Sequence, residues 1–462
     1  MPPEKCAYAL ARYSRSADSI RQSIDWVRTH NSQSFLESYY FQYGHQSIAD
    51  LGHTVLCFEG ISELAASEVE DEVLWDGQAK SSRYQDFSKA GFITPPELSA
   101  EDAAAYQAAG RALLEAYQHV HARVNDHLRE TLPRPESMKP DGYSRNIAAR
   151  AFDIARYLLF WGVPTNVGQM TSIRTLEKQI RRLRVSEFGE VRDLAEEIAA
   201  ACAAAPDCRW DESDSEPLAP TLARHAEPDE YLRQSHKDLK QWAGQNLVVA
   251  PCDAPLVDLI KPDDTLAEIA ATLLYPVCSH AFRALYETVR AWSRARQAEV
   301  LDVALHARGQ RDDLLRGFRG GQYCFDMLID IGAYRDMHRH RRCHQYRQAY
   351  AGTHGYDAPE LLQAAGALGS YSGAMEAAFA AMRKLPAPAR QYLLPFGARS
   401  RFLFKMDFAE AEYIARVRSG VKGHFSYRAV AWEMKKRVDE LEPELGRLMQ
   451  ATPPWVEDPL KR

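Results

Sequence analysis

The chain has 462 residues, 57 Lys and Arg against 63 Asp and Glu, and a formal net charge of −6. At roughly 100–200 residues per domain this length exceeds one ordinary core, and the near-neutral balance excludes a nucleic-acid coat. Hydrophobic residues at 46% and charged residues at 26% are globular averages, which sets aside wholesale disorder, collagen and coiled coil.

An amphipathic helical pattern covers residues 7–28, and a strand-like apolar run follows at 54–58. Long helical stretches come next, including 102–132, with apolar residues near i, i+3/i+4 and i+7; a second apolar run leads to a helix near Arg192. From Pro206 the composition changes. Acidic residues crowd 210–217, and Pro220, Pro228, Pro251, Pro255 and Pro262 follow, which reads as a linker or surface excursion. The earlier order then recurs: a helical pattern at 265–296, a strand-like run at 322–325, an Arg- and His-rich segment, a helix at 371–385 and a terminal helix at 429–449. Repetition of helix, strand, loop and helices marks an internal duplication. Alternation is too irregular for a parallel βαβ series, so the fold class is α+β. The boundaries are 1–205 for the first half, 206–263 for the insert and 264–462 for the second half.

Apolar runs such as 54–58 and 269–278 fall short of the ~18 residues of a membrane span. The start, Met1-Pro2-Pro3-Glu4-Lys5, has neither the basic start nor the apolar core of a secretory signal. A cytoplasmic protein without a membrane or nucleic-acid partner is expected. Eight cysteines, at 6, 57, 202, 208, 252, 278, 324 and 343, include no CxxC pair, which fits a reducing compartment rather than a disulfide framework or zinc ribbon.

The densest chemistry lies in His338-Arg339-His340-Arg341-Arg342-Cys343-His344, with Arg335 before it and Arg347 after. Planar guanidinium forks fit phosphate or an electron-rich ring edge, so the stretch reads as an anion site, with a solvated charged face as the plain alternative. Flanking arginines repel a cation, and His338, His340, Cys343 and His344 match no common zinc spacing, so no metal is expected. A second cluster is Tyr43-Gly44-His45-Gln46-Ser47, then Glu59-Gly60-Ile61-Ser62, then Ser81-Ser82-Arg83-Tyr84. Each piece alone is uninformative; order and spacing carry the signal.

Together these residues resemble the flavin-dependent (alternative) thymidylate synthases, whose motifs read roughly YGHxSxxEH, EGxS and RHRxxSxNxxSxRY. The first half keeps Tyr43-Gly44-His45-x-Ser47, the EGxS segment and Ser81-x-Arg83-Tyr84, but has Asp71-Glu72-Val73 in place of RHR. The second half has Arg339-His340-Arg341, but reads Ala349-Tyr350-Ala351-Gly352 where SxRY belongs. Downstream, the arginine of the family's TRFFW segment is Arg401 in the second half and Asn166 in the first; its flavin arginine is Arg174 in the first half and Ala409 in the second. An AR-x-S segment survives as Ala11-Arg12-Tyr13-Ser14.

The resemblance implies a tandem duplication of a domain with helices packed on a curved, mainly antiparallel sheet. It implies that Ser14, His45, Arg174, Arg339, His340 and Arg341 line FAD. Ser81, Arg83, Arg401 and Arg428 would grip a pyrimidine nucleotide, Arg401 and Arg428 as catalytic residues. The implied reaction is reductive C5 methylation of dUMP or a close relative, with NADPH and 5,10-methylenetetrahydrofolate as co-substrates and no cysteine nucleophile. Family sites are built from four identical subunits, so a duplicated chain implies a homodimer. Departures at Ala79, at Asp336 where many members have Gln, and at His424 keep two alternatives open: a flavoenzyme acting on a different pyrimidine nucleotide, and a non-catalytic nucleotide- or partner-binding paralogue.

Overall fold

A computed structural model describes residues 1–42, 44–83, 86–87, 91–206, 216–250, 255–309 and 312–460. Tyr43 and Tyr84 of the motifs, Cys208 and Cys252 lie outside the described residues, as do 207–215 and 251–254 of the expected insert. The chain divides into two compact units. The first comprises Met1–Ile61, Ala65–Lys80 and Thr165–Arg233; the second comprises Ser62–Leu64, Ser81–Pro164 and Gln234–Arg462. Both mix helices with a small sheet. Among the described residues no helix is long and apolar enough to cross a membrane.

The first unit holds β1 (His53–Ser62), β2 (Trp75–Ala79) and β3 (Pro164–Ser172) in the order β1-β3-β2, with β2 and β3 antiparallel. Along β3, Thr165, Val167, Gln169 and Thr171 are buried while Asn166 and Met170 are exposed, the period of two expected of a strand with one covered face. The helix Ile173–Arg184 follows at once, its first turn capped by Ser172, which accepts the Thr175 N–H. Leu176, Ile180 and Leu183 are buried along one face of it. The opening pattern at 7–28 is two helices, Pro3–Tyr13 and Ile20–Thr29. The break falls before Ser19, which forms a capping box with Gln22 and starts a new helix.

The second unit holds β4 (Val257–Ile260), β5 (Tyr323–Asp330), β6 (His344–Arg347) and β7 (Arg399–Met406) in the order β4-β5-β7-β6, all pairs antiparallel. Cys324, Tyr346 and Leu403 from this sheet pack in one core with Ala270, Leu274, Phe282 and Leu285. The pattern at 265–296 is three helices, Thr265–Leu274, Phe282–Arg290 and Arg294–Leu305, because Pro276 in the turn Tyr275–Val277 cannot continue the first. The stretch 206–263 carries helices Pro220–His225 and Glu230–Asn246 as well as β4. Pro220 starts a helix there, where its missing N–H leaves no bond unmade. The terminal helix is Phe425–Leu441, and Glu442 before Pro443 leaves helical geometry with φ −140 and ψ 76.

The two sheets repeat one plan. Removing β4, the second order matches the first strand for strand. Register also matches: Asp76 faces Met170 and Ala79 faces Val167 in the first sheet, and His344 faces Lys405 and Arg347 faces Phe402 in the second. Lys80 donates its N–H to the Asn166 carbonyl, and Gln348 donates to that of Arg401. Ser172 and Asp407 then cap the following helices alike.

Within the second unit the two copies also meet. Trp161 N–H donates to Leu394 O and Phe396 N–H to Leu159 O, while Gly162 N–H donates to Tyr392 O and Gly397 N–H to Tyr157 O. One constant sequence spacing maps each bond onto its mate. Such reciprocity defines a two-fold contact, here made inside a single chain. Gly162 and Gly397 are required by close approach, since a Cβ would lie 2.0 Å from Tyr106 Oη and 2.5 Å from Tyr371 Oη respectively.

Candidate functional site

In the second unit, β5 ends at Asp330, whose carboxylate caps the helix Ile331–Met337 by accepting the Ala333 N–H at 2.7 Å. The turn from this helix to β6 carries the expected Arg339, His340 and Arg341; Arg339 is exposed, Arg341 half-buried and His340 buried. His338 turns inward, its Nδ1 2.8 Å from Gln345 Oε1. The Cys343 thiol donates to the His340 carbonyl at 3.0 Å. Both serve the turn. Among the described residues no group of three or more His, Cys, Asp or Glu is arranged to hold a metal ion.

His340 Nε2 accepts a hydrogen bond from Arg418 Nε at 2.7 Å, and its Nδ1 lies 3.3 Å from Glu410 Oε1. Burial, only partly offset by Glu410, pushes His340 below the ordinary imidazole value. The neutral ring carrying its proton on Nδ1 fits both neighbours. It aims Arg418, at the end of the helix Phe408–Arg418, over the Tyr427 ring at 5.6 Å.

Arg83 enters the same neighbourhood from the SxRY segment. Its Nε and Nη2 donate to the Asp153 carboxylate at 2.7 and 3.0 Å, Nη1 donates to Tyr427 Oη at 3.2 Å, and Nη2 also reaches the Lys422 carbonyl at 3.2 Å. Ser81 Oγ accepts the Arg83 N–H at 3.3 Å. Asp336 pairs with Arg156 Nη1 at 3.1 Å. Burial raises the Asp336 carboxyl, but the charges of Arg156, Arg339, Arg83 and Arg418 outweigh it and hold the carboxyl below its ordinary range. Four guanidinium charges thus act on one carboxylate, with Arg156 in direct contact. Arg156 is 1% exposed, and its Nε and Nη2 have no hydrogen-bond partner among the described residues.

Arg401 and Arg428 have partners of their own. Arg401 Nη1 pairs with Asp326 at 2.8 Å, a carboxylate that also accepts Tyr275 Oη–H and the Phe282 N–H, both at 2.8 Å. Arg428, expected at the nucleotide, is buried and donates to backbone carbonyls: Ser419 at 3.0 Å, Pro453 at 3.2 Å and Val456 at 2.8 Å. Arg335 is likewise engaged, with Glu63 and with Ser82 Oγ at 3.1 Å.

The first unit gathers Ser14, His45 and Arg174. Ser14 ends the helix Pro3–Tyr13, its hydroxyl donating to Ala11 O at 2.9 Å. Its neighbour Arg15 lies 3.3 Å from His45 Nδ1. Arg174, in the first turn of its helix, donates to Asp50 at 2.7 Å and to Gln46 Oε1 at 3.2 Å. Sequence reasoning missed Arg15, Arg156 and Arg418 as members of these clusters. Arg156 had one available signal, a lone charge at the edge of the apolar run 157–163, where an unpaired charge is rarely buried.

The matching registers put the motif slots in equivalent places. Counting from the paired strands, Asp71–Val73 correspond to 339–341, Arg83 to Ala351, Asn166 to Arg401 and Arg174 to Ala409. The fold is that of a duplicated α+β protein whose arginines gather about buried carboxylates. The chain belongs to the family described as Thymidylate synthase complementing protein, which matches residues 1–206 and 256–444. It is thus a duplicated member of the flavin-dependent thymidylate synthases.

The chain is 26% identical over 447 residues to a UPF0159 protein of Chlamydia muridarum, covering 88% of this chain and 81% of the relative. It is 22% identical over 486 residues to the UPF0159 protein Ta1429 of Thermoplasma acidophilum, covering 96% and 94%. Two crystal structures of thymidylate synthase X from Helicobacter pylori with FAD and dUMP are 15% identical. They cover 43% and 44% of this chain and 88% and 89% of those chains, with TM-scores of 0.25 and 0.26.

Proposed function

We propose that this protein is an FAD-dependent, thymidylate synthase-like enzyme that methylates C5 of a uracil nucleotide, dUMP or a close relative. The proposed carbon donor is methylenetetrahydrofolate, the reductant NADPH, and the working form a cytoplasmic homodimer. The observation that carries the reading is complementary retention. Arg339–Arg341 stand where the other copy has Asp71–Val73, Arg83 where it has Ala351, Arg401 where it has Asn166, and Arg174 where it has Ala409. Decay of an idle paralogue has no reason to spare one functional set divided between copies.

The donor chemistry fits the cofactor. Arg339 and Arg341 offer cations at an accessible turn, suited to a diphosphate or to the electron-rich edge of a flavin. Arg339, His340 and Arg341, with Ser14, His45 and Arg174, form the proposed flavin-binding set. FAD supplies the reducing chemistry when bound. The chain's residues position and polarise. Ser81, Arg83 and Arg401 form the proposed nucleotide set, joined by Arg418. Asp153 neutralises Arg83 and Asp326 neutralises Arg401, so the net attraction for a phosphate comes from Arg418 and Arg339. His340, neutral and buried, holds Arg418 rather than a proton in transit.

A second reading, action on a different pyrimidine nucleotide, is favoured by one residue. Asp336 is a carboxylate held ionised, which accepts hydrogen bonds but donates none, where many members carry an amide that does both. Two measurements decide. Purified protein is expected to show visible flavin absorbance or to take up added FAD; failure of both overturns either enzyme reading and leaves the binding paralogue. Methylated product from dUMP only in the presence of methylenetetrahydrofolate supports the first reading. Turnover without the folate supports the second.

A further inference from the structure

The chain continues past residue 444, where the family match ends, and its last segment returns to the site. After the helix Pro443–Gly446 the backbone doubles back along Phe425–Leu441. Trp455 stacks edge-on against Trp432 with centroids 5.4 Å apart. Thr452 N–H donates to Ser419 Oγ at 2.8 Å, and Arg428 Nη2 ties down the carbonyls of Pro453 and Val456. Arg428 Nε holds the carbonyl of the same Ser419, whose side chain is fully buried.

Ser419 opens a short loop, 419–424, that immediately follows Arg418. Its other side faces the anion site: the Lys422 carbonyl accepts Arg83 Nη2, and His424 Nε2 lies 2.8 Å from the carbonyl of Asp153, the residue whose carboxylate orients Arg83. Tail, Arg428, loop and the arginines Arg83 and Arg418 therefore form one continuous series. A guanidinium serving three carbonyls is a clamp on backbone, and its forked geometry is what an ammonium lacks.

We infer that residues 450–458 are a strap whose docking on Arg428 orders the 419–424 loop and thereby sets the nucleotide arginines, and that Arg428 is a positioning residue. The dUMP used to test it rests on the nucleotide reading proposed for the site; the strap itself does not. Strap docking and nucleotide binding draw on one loop conformation, so each favours the other by the same factor.

The test uses the full chain and Trp455→Ala, which removes a ring that is 72% exposed and so leaves the core intact. The variant is expected to bind dUMP about 5- to 10-fold more weakly by calorimetry, within the usual range of coupling between sites. Its flavin uptake and melting temperature should match the parent. Amides at 419–424 should exchange faster with deuterium even without ligand, and saturating dUMP should slow exchange at 452–456 in the parent. Arg428→Lys is expected to share the dUMP defect, since one ammonium cannot bridge the three carbonyls. Unchanged dUMP affinity in both variants, with parental exchange at 419–424, overturns the inference. If the parent binds no pyrimidine nucleotide, the nucleotide reading fails. Ligand-free exchange then decides the strap alone: faster exchange at 419–424 in Trp455→Ala sustains it, and parental exchange overturns it.

Discussion

Arg83 meets Asp153 side-on, with Nε 2.7 Å from Oδ1 and Nη2 3.0 Å from Oδ2, both side chains buried. The guanidinium comes from a motif retained only in the first half, and its carboxylate from the end of the helix Pro140–Ala155. Asp153→Ala would leave a buried cation half-paired, and destabilisation of about 3–5 kcal/mol is expected in urea unfolding. Replacing both residues by apolar ones of similar volume should recover most of that loss, because desolvation of the pair then disappears as well.

The proposed division of labour between the copies would make equivalent positions unequal. Arg339→Ala and Arg341→Ala are each expected to lower FAD affinity by about 10- to 100-fold, as befits a charged hydrogen bond worth ~1.5–3 kcal/mol. Val73→Ala, at the place corresponding to Arg341, should leave the affinity unchanged. Quenching of flavin fluorescence during titration reads all three. Equal losses at the two places would remove the case for complementary copies.

His340 gives the site a pH dependence of known sign. Burial depresses its folded pKa, so below the ordinary imidazole value of about 6.5 the unfolded chain binds a proton that the native chain refuses. Stability therefore rises with pH through the window between the folded value and about 6.5, and is flat above it. Protonation at Nε2 would also remove the acceptor for Arg418 and set two cations together. Nucleotide binding should hold through that window, where the native ring stays neutral, and weaken only as pH falls through the lower folded value; His340→Gln should flatten the profile in a calorimetric series.

Asp357 behaves in the opposite way. Burial and the neighbouring Asp330 push its carboxyl up to about 6, with Arg399 opposing. Between the ordinary carboxylate value of about 4 and that value the native chain binds the extra proton, so this group's stability contribution is present at acid pH and lost as pH rises to about 6. Asp357→Asn is expected to melt higher than the parent at neutral pH and equally with it near pH ~4. A gain that persists at acid pH would point to a cause other than the charge.

The sequence by itself determined which copy keeps which motif residues. Motif slots are local, and their register is carried by strands that alternate with a period of two and by helices that begin at a capping residue. The strand-like run at 54–58 lies in β1 and that at 322–325 opens β5 from Tyr323 onward, and the pairing of Asn166 with Arg401 and of Arg174 with Ala409 is repeated by matching strand registers and by the helix caps Ser172 and Asp407. Residues 206–263, read from composition as a linker or insert, carry the helices Pro220–His225 and Glu230–Asn246 and β4, because proline and acidic residues at helix starts look the same in sequence as those in a linker. Only the tertiary structure decided how each arginine is engaged. A guanidinium's availability depends on its partner, and those partners are remote: Asp153 for Arg83, Asp326 for Arg401, and the carbonyls of a C-terminal tail for Arg428. Arg156 and Arg418 joined the site for the same reason, since convergence on Asp336 is a property of packing that no spacing along the chain encodes.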